Sequence, residues 1–585
     1  MILVLQQIAA LLLLVLPGLL PAIALFPGWR GVLFAPLVTI AAVAFGAVLA
    51  LAIPAPPLVI GIVILIGLQV FAWGHGSPRG RITVEQIREA FRLGPQAWLA
   101  LSAGLVSQWI GTITPATAFD ARITWFLHAH WLVGGQGALL SGLRDPAVAY
   151  NPDYPPAGST VIALVWRTLG TRDVELAQFV SATCTGVALS FALVLLTDLR
   201  TSGPWRSLGR FDRWLFPVLM GAAAYSATQY FGFNGYMDGF VACVSLCLVL
   251  LLFRVGVHPL ALALVAAVVA LTKNEGFVFV GLVSVLSTVV GSLRHRLGRS
   301  GLLAVWSGPV VGAIWIAMVR IRGANSWYSI SSVSSALTTD DDSGSRASIA
   351  SLAVGKQILG AVVVLAGSVA LAGLARKRPQ PASDLAPRQY WNLVRHAGVM
   401  FVLAIAISVV TIGYFVASAA PIRPFLGGSV ERVTMTPKLL LLAAALLVFP
   451  GEWLLGSKQR HRFAALLVAF PLALQGARFG GAPFRPEALR QALALNREGD
   501  CLERQVRKAL PARSVVAVDI DGPWRHRIIS MAYPRYRLVP LDSLPNGSEV
   551  RILRLAPRSG NCGRIVVADP GTSANSGPAD DDVAS

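Results

Sequence analysis

The sequence predicts an all-α polytopic membrane protein carrying a small α/β domain near its C-terminal end, and three observations carry that expectation. The chain of 585 residues is 55% hydrophobic and only 13% charged, with a mean hydropathy of +0.64, far from the usage of a soluble domain. Apolar segments of roughly 15 to 26 residues recur as far as about position 476, each close to the length that crosses a ~30 Å hydrocarbon core as a helix. Past that point the composition turns polar and short β-branched runs replace the long apolar ones.

The first segment, MILVLQQIAALLLLVLPGLLPAIALF, has no basic residue before its apolar stretch, so it lacks the positive region of a cleavable signal peptide and reads as a retained helix. In order, the spans fall at 3–26, 31–53, 57–74, 97–114, 174–197, 214–232, 239–254, 258–272, 277–292, 301–320, 350–375, 396–418, 438–455 and 461–477, about fourteen helices in all. The net charge of +20 could suggest nucleic acid, but most Arg and Lys lie in short loops between apolar runs, where they mark topology. The chain is therefore expected to meet a lipid bilayer and no nucleic acid.

Loops containing Arg79 to Arg92, Arg200 to Arg213, Arg294 to Arg299, Arg376 to Arg378 and Lys458 to Arg462 are expected on the cytoplasmic side. Strict alternation satisfies all five only if the apolar stretch Gly158 to Leu169 does not cross. About twelve residues are too few to span, so it reads as an interfacial or re-entrant element within a long outside loop, 115–173.

On this topology the carboxylates and aromatics collect on the outside face. Asp120, with Arg122 and Trp125 beside it, opens the long loop; it suits a solvated helix cap or a general base whose pKa apolar neighbours raise. Tyr150-Asn-Pro-Asp-Tyr-Pro-Pro156 is a proline-stiffened loop that is either a surface turn or a display of Asp153 and Tyr154 over the membrane. Asp238 enters a span among Tyr230, Phe231, Phe233 and Tyr236, aromatics that by themselves make an interfacial belt. Lys273-Asn274-Glu275-Gly276 forms the tip of a tight helical hairpin, which is either a polar turn or a pair whose ammonium meets a phosphate. Arg432 precedes the span at 438, and Arg suits bidentate phosphate recognition. The run Asp340-Asp-Asp342 reads as a solvated loop.

These residues resemble a known family. A first outside loop opening on Asp-x-Arg and running to Asp-Tyr-Pro, an outside Gly-Tyr-x-Asp, a Thr-Lys-Asn-Glu-Gly hairpin and a late Ser-x-x-Arg before a helix are together similar to the GT-C superfamily of membrane glycosyltransferases. The likeness is to its bacterial dolichyl-phosphate-mannose-mannosyltransferase-like and lipid-A-sugar-transferase-like branches, over about residues 97 to 440. The resemblance implies a polyprenyl-phosphate-linked sugar as donor, an inverting hexosyl or pentosyl transfer to an envelope glycan, glycolipid or protein acceptor outside the bacterial cytoplasmic membrane, and Asp120 as catalytic base. Phosphate contacts would fall to Lys273 and Arg432, with Glu275 orienting Lys273, while Arg122, Asp153, Tyr154 and Asp238 would line the substrate site. No cofactor is certain; a divalent ion, Mg or Mn, would want a second carboxylate where this chain has Ala121. A flippase of lipid-linked sugars is the alternative, although such proteins place charges in broken midplane helices of inverted repeats, and no repeat is visible. A non-catalytic envelope-assembly protein would have no need of convergent Lys, Glu and Asp.

The chain thus divides into extra N-terminal spans and a basic loop (1–96), a transmembrane catalytic core (97–477), an extracytoplasmic α/β domain (478–570) and a disordered tail (571–585). In the third part a helix over Pro486 to Ala509 precedes strands at 514–519, 536–540, 550–555 and 564–568. Cys501 and Cys562 lie there and, in an oxidising compartment, would form a disulfide.

Overall fold

The computed structural model describes residues 2–75, 82–92, 101, 105, 121–144, 152–201, 235–324, 343–376, 387–417, 430–449, 486–511, 514–520, 537–538, 550–559 and 562–568. The expected spans at 214–232 and 461–477, most of that at 97–114, the Asp340–Asp342 run, Asp120 and the tail from 571 lie outside these.

Helices dominate. The first span is divided into α1 (Ile2–Val15) and α2 (Leu19–Leu25) around a 3-10 turn at Leu16–Gly18. Then come α3 (Trp29–Ala50), α4 (Pro57–His75) and α5 (Val84–Ala90), the last opened by a Thr83/Gln86 capping box. The long loop holds a π-helical stretch, Ala121–Phe126, followed by α6 (Leu127–Gly134), α7 (Gln136–Arg144) and α8 (Ala157–Leu169). Next are α9 (Val174–Thr201), α10 (Asp238–Phe253), α11 (Pro259–Thr272), α12 (Asn274–Val289) and α13 (Gly291–Ile321). The series closes with α14 (Ser343–Arg376), α15 (Pro387–Ala417), α16 (Val430–Val433), α17 (Met435–Val448) and α18 (Pro486–Ala509).

Seven of the described helices are long and apolar enough to cross a membrane. The expected spans at 239–254, 258–272 and 277–292 are helices of 16, 14 and 16 residues, shorter than a full crossing. Local chemistry ends them early. Gly256 takes φ 73°, His258 caps α11 through Nδ1 with Pro259 behind it, and Lys273 breaks the chain with φ −159° and ψ 156°. In α13, Gly298 at φ 62° interrupts the helix between its basic start and its apolar remainder.

Side-chain contacts at the helix ends sort into two groups, and each joins only ends that alternation places on one side. At one end Gln136 donates to the Ala50 and Ile53 carbonyls (2.7 and 2.9 Å), Arg322 to Leu51 O (2.9 Å) and Arg144 to Arg322 O (2.7 Å). At the other, Arg30 and Arg254 converge on Asp198, Arg296 donates to Phe253 O (2.6 Å), and buried Arg200 donates to Leu446 O and Phe449 O (2.7 and 3.1 Å), caps for the carbonyl end of α17. The two sets share no residue.

Residues 158–169, expected as an interfacial or re-entrant element, are enclosed by protein rather than lying at an interface. As α8, this segment is a helix too short to span, yet its side chains from Ala157 to Trp166 are buried, packed against α3, α6 and α9. Helix α3 is itself buried along most of its length and packs against α4, α8, α9 and α11, so the N-terminal spans form part of the central packing.

The C-terminal unit is the expected α/β domain. Strands β1 (Val515–Asp519), β2 (Arg537–Leu538), β3 (Val550–Ser559) and β4 (Cys562–Ala568) form one sheet in the order β2-β1-β3-β4. β1 runs parallel to β2 and β3, and β3 pairs antiparallel with β4. Helix α18 packs on β4, burying Leu502 and Val506, and Gln505 Oε1 accepts from Ile565 N at 2.8 Å. Cys501 and Cys562 therefore lie on neighbouring elements, while the free thiols among the described residues are Cys184, Cys243 and Cys247.

Candidate active site

The hairpin α11–α12 is tight because Gly276 faces the Val269 carbonyl so closely that a Cβ there would collide with it. Glycine here serves close approach rather than turn flexibility. The hairpin tip lifts Lys273 out of helical geometry and aims its ammonium at the first residue of α10. Lys273 Nζ lies 2.7 Å from Asp238 Oδ1 and 3.0 Å from Glu275 Oε1. Arg432, on the short helix α16, reaches Asp238 Oδ2 at 3.4 Å, and its guanidinium sits 4.2 Å above the centre of the Tyr236 ring.

Two cations and two carboxylates thus balance at the start of α10, where a carboxylate is also favoured by the helix dipole. Their exposure is graded. The side chains of Lys273 and Asp238 are 4% and 3% exposed, that of Arg432 14% and that of Glu275 38%. The inner pair is structurally committed, since a buried charge that loses its partner costs several kcal/mol; Arg432 and Glu275 form the accessible rim.

The long loop reaches the same place. Gly235, at φ +91°, could not carry a Cβ without meeting Ala121 Cβ at 2.8 Å and the Phe126 ring at 3.0 Å, which sets the π-helical stretch against the approach to Asp238. A Cβ on Gly158 would meet the Met237 side chain at 2.8 Å, docking the start of α8 there too. Trp125 packs on Tyr154 with ring centres 5.5 Å apart. Asp153 is buried, and its carbonyl accepts from Trp315 Nε1 at 2.9 Å, tying the Pro-rich loop to α13.

Of the residues singled out in the sequence, Asp238, Lys273, Glu275 and Arg432 come into direct contact, while Tyr154 packs on Trp125 of the π-helical stretch. Arg122 lies on the π-helical stretch, and Asp120, the residue before it begins, is outside the described residues. Sequence reading placed Tyr236 in an aromatic belt, whereas it is the platform for Arg432. It also passed over His128 and His130, both buried in α6 between spans. Burial pushes each down to about 3, with Arg172 and Arg507 adding to the effect at His130. Nothing in their spacing distinguishes them from surface histidines. Among the described residues no group of three His, Cys, Asp or Glu side chains is arranged to hold a metal, and Asp238 is already taken up by two cations.

No family model matches the chain, and no curated protein does. Among solved structures, the crystal structure of ArnT from Cupriavidus metallidurans in the apo state aligns at 15% identity over 78% of this chain and 92% of that one, with a TM-score of 0.34. At that score the likeness adds nothing to what the helices and the site themselves display.

Proposed function

We propose that the protein is a GT-C-type membrane glycosyltransferase that moves a sugar from a polyprenyl-phosphate donor to an envelope glycan, glycolipid or protein on the extracytoplasmic face of a bacterial cytoplasmic membrane. The observation that carries this reading is the graded ion cluster at one end of the bundle, with Asp238 and Lys273 buried and Arg432 at the rim beside Tyr236. The Arg432–Asp238 contact, at 3.4 Å, is the loosest in the cluster, so a phosphate oxygen can replace the carboxylate there at low cost. A planar guanidinium already positioned over an aromatic ring is well suited to that exchange. Lys273 contributes charge from behind Asp238, and Glu275 keeps its ammonium oriented.

In the proposed reaction the acceptor hydroxyl loses its proton to Asp120 as its oxygen attacks the anomeric carbon. The bond from that carbon to the phosphate oxygen breaks on the opposite side, and the lipid phosphate leaves with the electron pair, so configuration inverts. Phosphate is already a competent leaving group, which leaves the protein with orientation and charge stabilisation as its main tasks. Arg122, Asp153 and Tyr154 would position sugar or acceptor. A divalent ion, Mg or Mn, would have to draw on Asp120, and no step is assigned to one. Outside the membrane, Cys501 and Cys562 would close a disulfide between α18 and β4; alkylation and mass measurement with and without reductant tests that pairing, and two free thiols would refute it.

The enzymatic reading is tested by incubating purified protein with radiolabelled polyprenyl-phosphate hexoses and pentoses and envelope acceptors. Labelled product is expected with the native chain and a loss of about a hundredfold or more with Asp120→Asn. Undiminished transfer by a normally expressed Asp120→Asn variant would remove Asp120 from the mechanism.

A further inference from the structure

At the far end of α8 from the ion cluster, the C-terminal domain meets the long loop around a cavity of about 740 Å³. The thirteen residues of α8 put roughly 20 Å between its two ends, so this is a second, separate place. Arg167 and Arg172 enter it from the end of α8 and the turn after it, Arg504 and Arg507 from α18 of the C-terminal domain. We propose that this cleft is an anion-binding site for phosphate esters, with the four arginines as its ligands.

Four cations face three carboxylates in the lining, Asp173, Glu175 and Glu503. Asp173 is spent as the cap of α9, its Oδ1 accepting from Glu175 N at 2.8 Å and Leu176 N at 3.2 Å. None of the four guanidiniums makes a hydrogen bond or ion pair to another described residue. Arg172 feels the arrangement: burial first, then the charges of Arg167 and Arg507, lower its pKa. With Asp173 engaged as a cap, the four guanidiniums outnumber the two remaining carboxylates, Glu175 and Glu503, and a phosphate that accepts several N–H bonds at once offsets the repulsion among them. Trp166, also in the lining, packs against His130 with ring centres 4.7 Å apart and planes tilted by 44°. Kept neutral, that histidine adds no charge of its own beneath the site.

The site belongs to the junction, since neither domain alone supplies more than two of its arginines. It does not depend on the donor reading above, because it shares no residue with the Asp238 cluster.

The test uses full-length protein in phosphatidylcholine nanodiscs titrated calorimetrically with inorganic pyrophosphate. Saturable binding is expected, weakening with salt, and at least tenfold weaker in the Arg172→Ala/Arg507→Ala double variant. Arg172→Lys/Arg507→Lys is expected to recover part of that loss, while Lys508→Ala on the same helix binds as the native chain does. Repeating the native titration in phosphatidylglycerol nanodiscs at matched ionic strength identifies the natural source. Tenfold weaker pyrophosphate binding there assigns the cleft to a lipid headgroup, and equal binding assigns it to a soluble phosphorylated glycan. Absence of saturable binding by the native chain, or binding by the alanine double variant within twofold of it, would overturn the proposal. A normal melting temperature for the double variant excludes misfolding as the cause of a loss.

Discussion

The two ends of the bundle each carry an aspartate held by two cations, and they differ in what surrounds it. At one end Asp198 accepts both Arg30 nitrogens at 2.9 and 2.7 Å and Arg254 at 2.8 Å, with side chains 19 to 31% exposed. At the other, Asp238 and Lys273 are almost fully enclosed, with a second carboxylate and a more distant arginine at the edge; arginines lie over aromatic rings at both ends. The first arrangement has short contacts throughout and ties the starts of α3 and the turn after α10 to the end of α9. The second has one loose contact at its accessible edge. Short contacts all round suit a clamp, and a loosely held arginine beside a buried counter-charge suits a site that exchanges one anion for another.

The largest expected effect breaks that contrast directly. Asp238→Ala leaves Lys273 buried between fewer partners and should destabilise the protein by about 3–5 kcal/mol, whereas Asp198→Ala, in a more solvated setting, should cost about 1 kcal/mol or less. Denaturant unfolding of both variants in the same detergent measures this, and equal losses would erase the distinction between site and clamp.

A second contrast sets the two buried histidines near the C-terminal domain against the arginine-rich ends. His128 and His130 have folded pKa values of about 3 against about 6.5 in an unfolded chain. The unfolded state therefore binds more protons between those values, so stability is complete above about pH 6.5 and falls as pH drops toward 3. By pH 5 each histidine should have withdrawn about 2 kcal/mol. Melting temperatures from pH 7.5 to 5 should fall in the native chain and fall less in His130→Gln; a flat native profile would contradict their burial as neutral rings.

A smaller difference lies within one hairpin. Gly276→Ala drives a methyl into the Val269 carbonyl and should cost about 1–3 kcal/mol, while a Cβ on Gly281, one turn further along α12, meets nothing within 4 Å, and Gly281→Ala should gain up to about 1 kcal/mol. Thermal unfolding of the pair checks this.

Much of this was legible in one dimension. Apolar run length located the spans that fall among the described residues, though three of them are shorter than a crossing; the contacts of Arg30, Arg200, Arg254 and Arg296 at one end, and of Gln136, Arg144 and Arg322 at the other, agree with the sides expected from the Arg-rich loops. Strand composition likewise located β1 to β4 within a few residues. Pairing was less accessible. Residues 158–169 read as interfacial or re-entrant because twelve residues cannot span, and the sequence carries no sign that α3 and α6 cover them. Lys273 looked like a partly buried hairpin charge, since only the fold brings Asp238, thirty-five residues earlier, to enclose it. Tyr236 was hidden among aromatics because an interfacial ring and a platform for a guanidinium have the same local pattern.

In the proposed function Arg432, held over Tyr236, receives the phosphate of a polyprenyl-phosphate ligand. The most direct measurement is the thermal shift produced by polyprenyl monophosphate on purified native protein, Arg432→Ala and Asp198→Ala. The melting temperature should rise for the native chain and for Asp198→Ala, and the rise should be lost in Arg432→Ala despite an unshifted starting temperature. Equal stabilisation of Arg432→Ala, or none of the native chain, would contradict it.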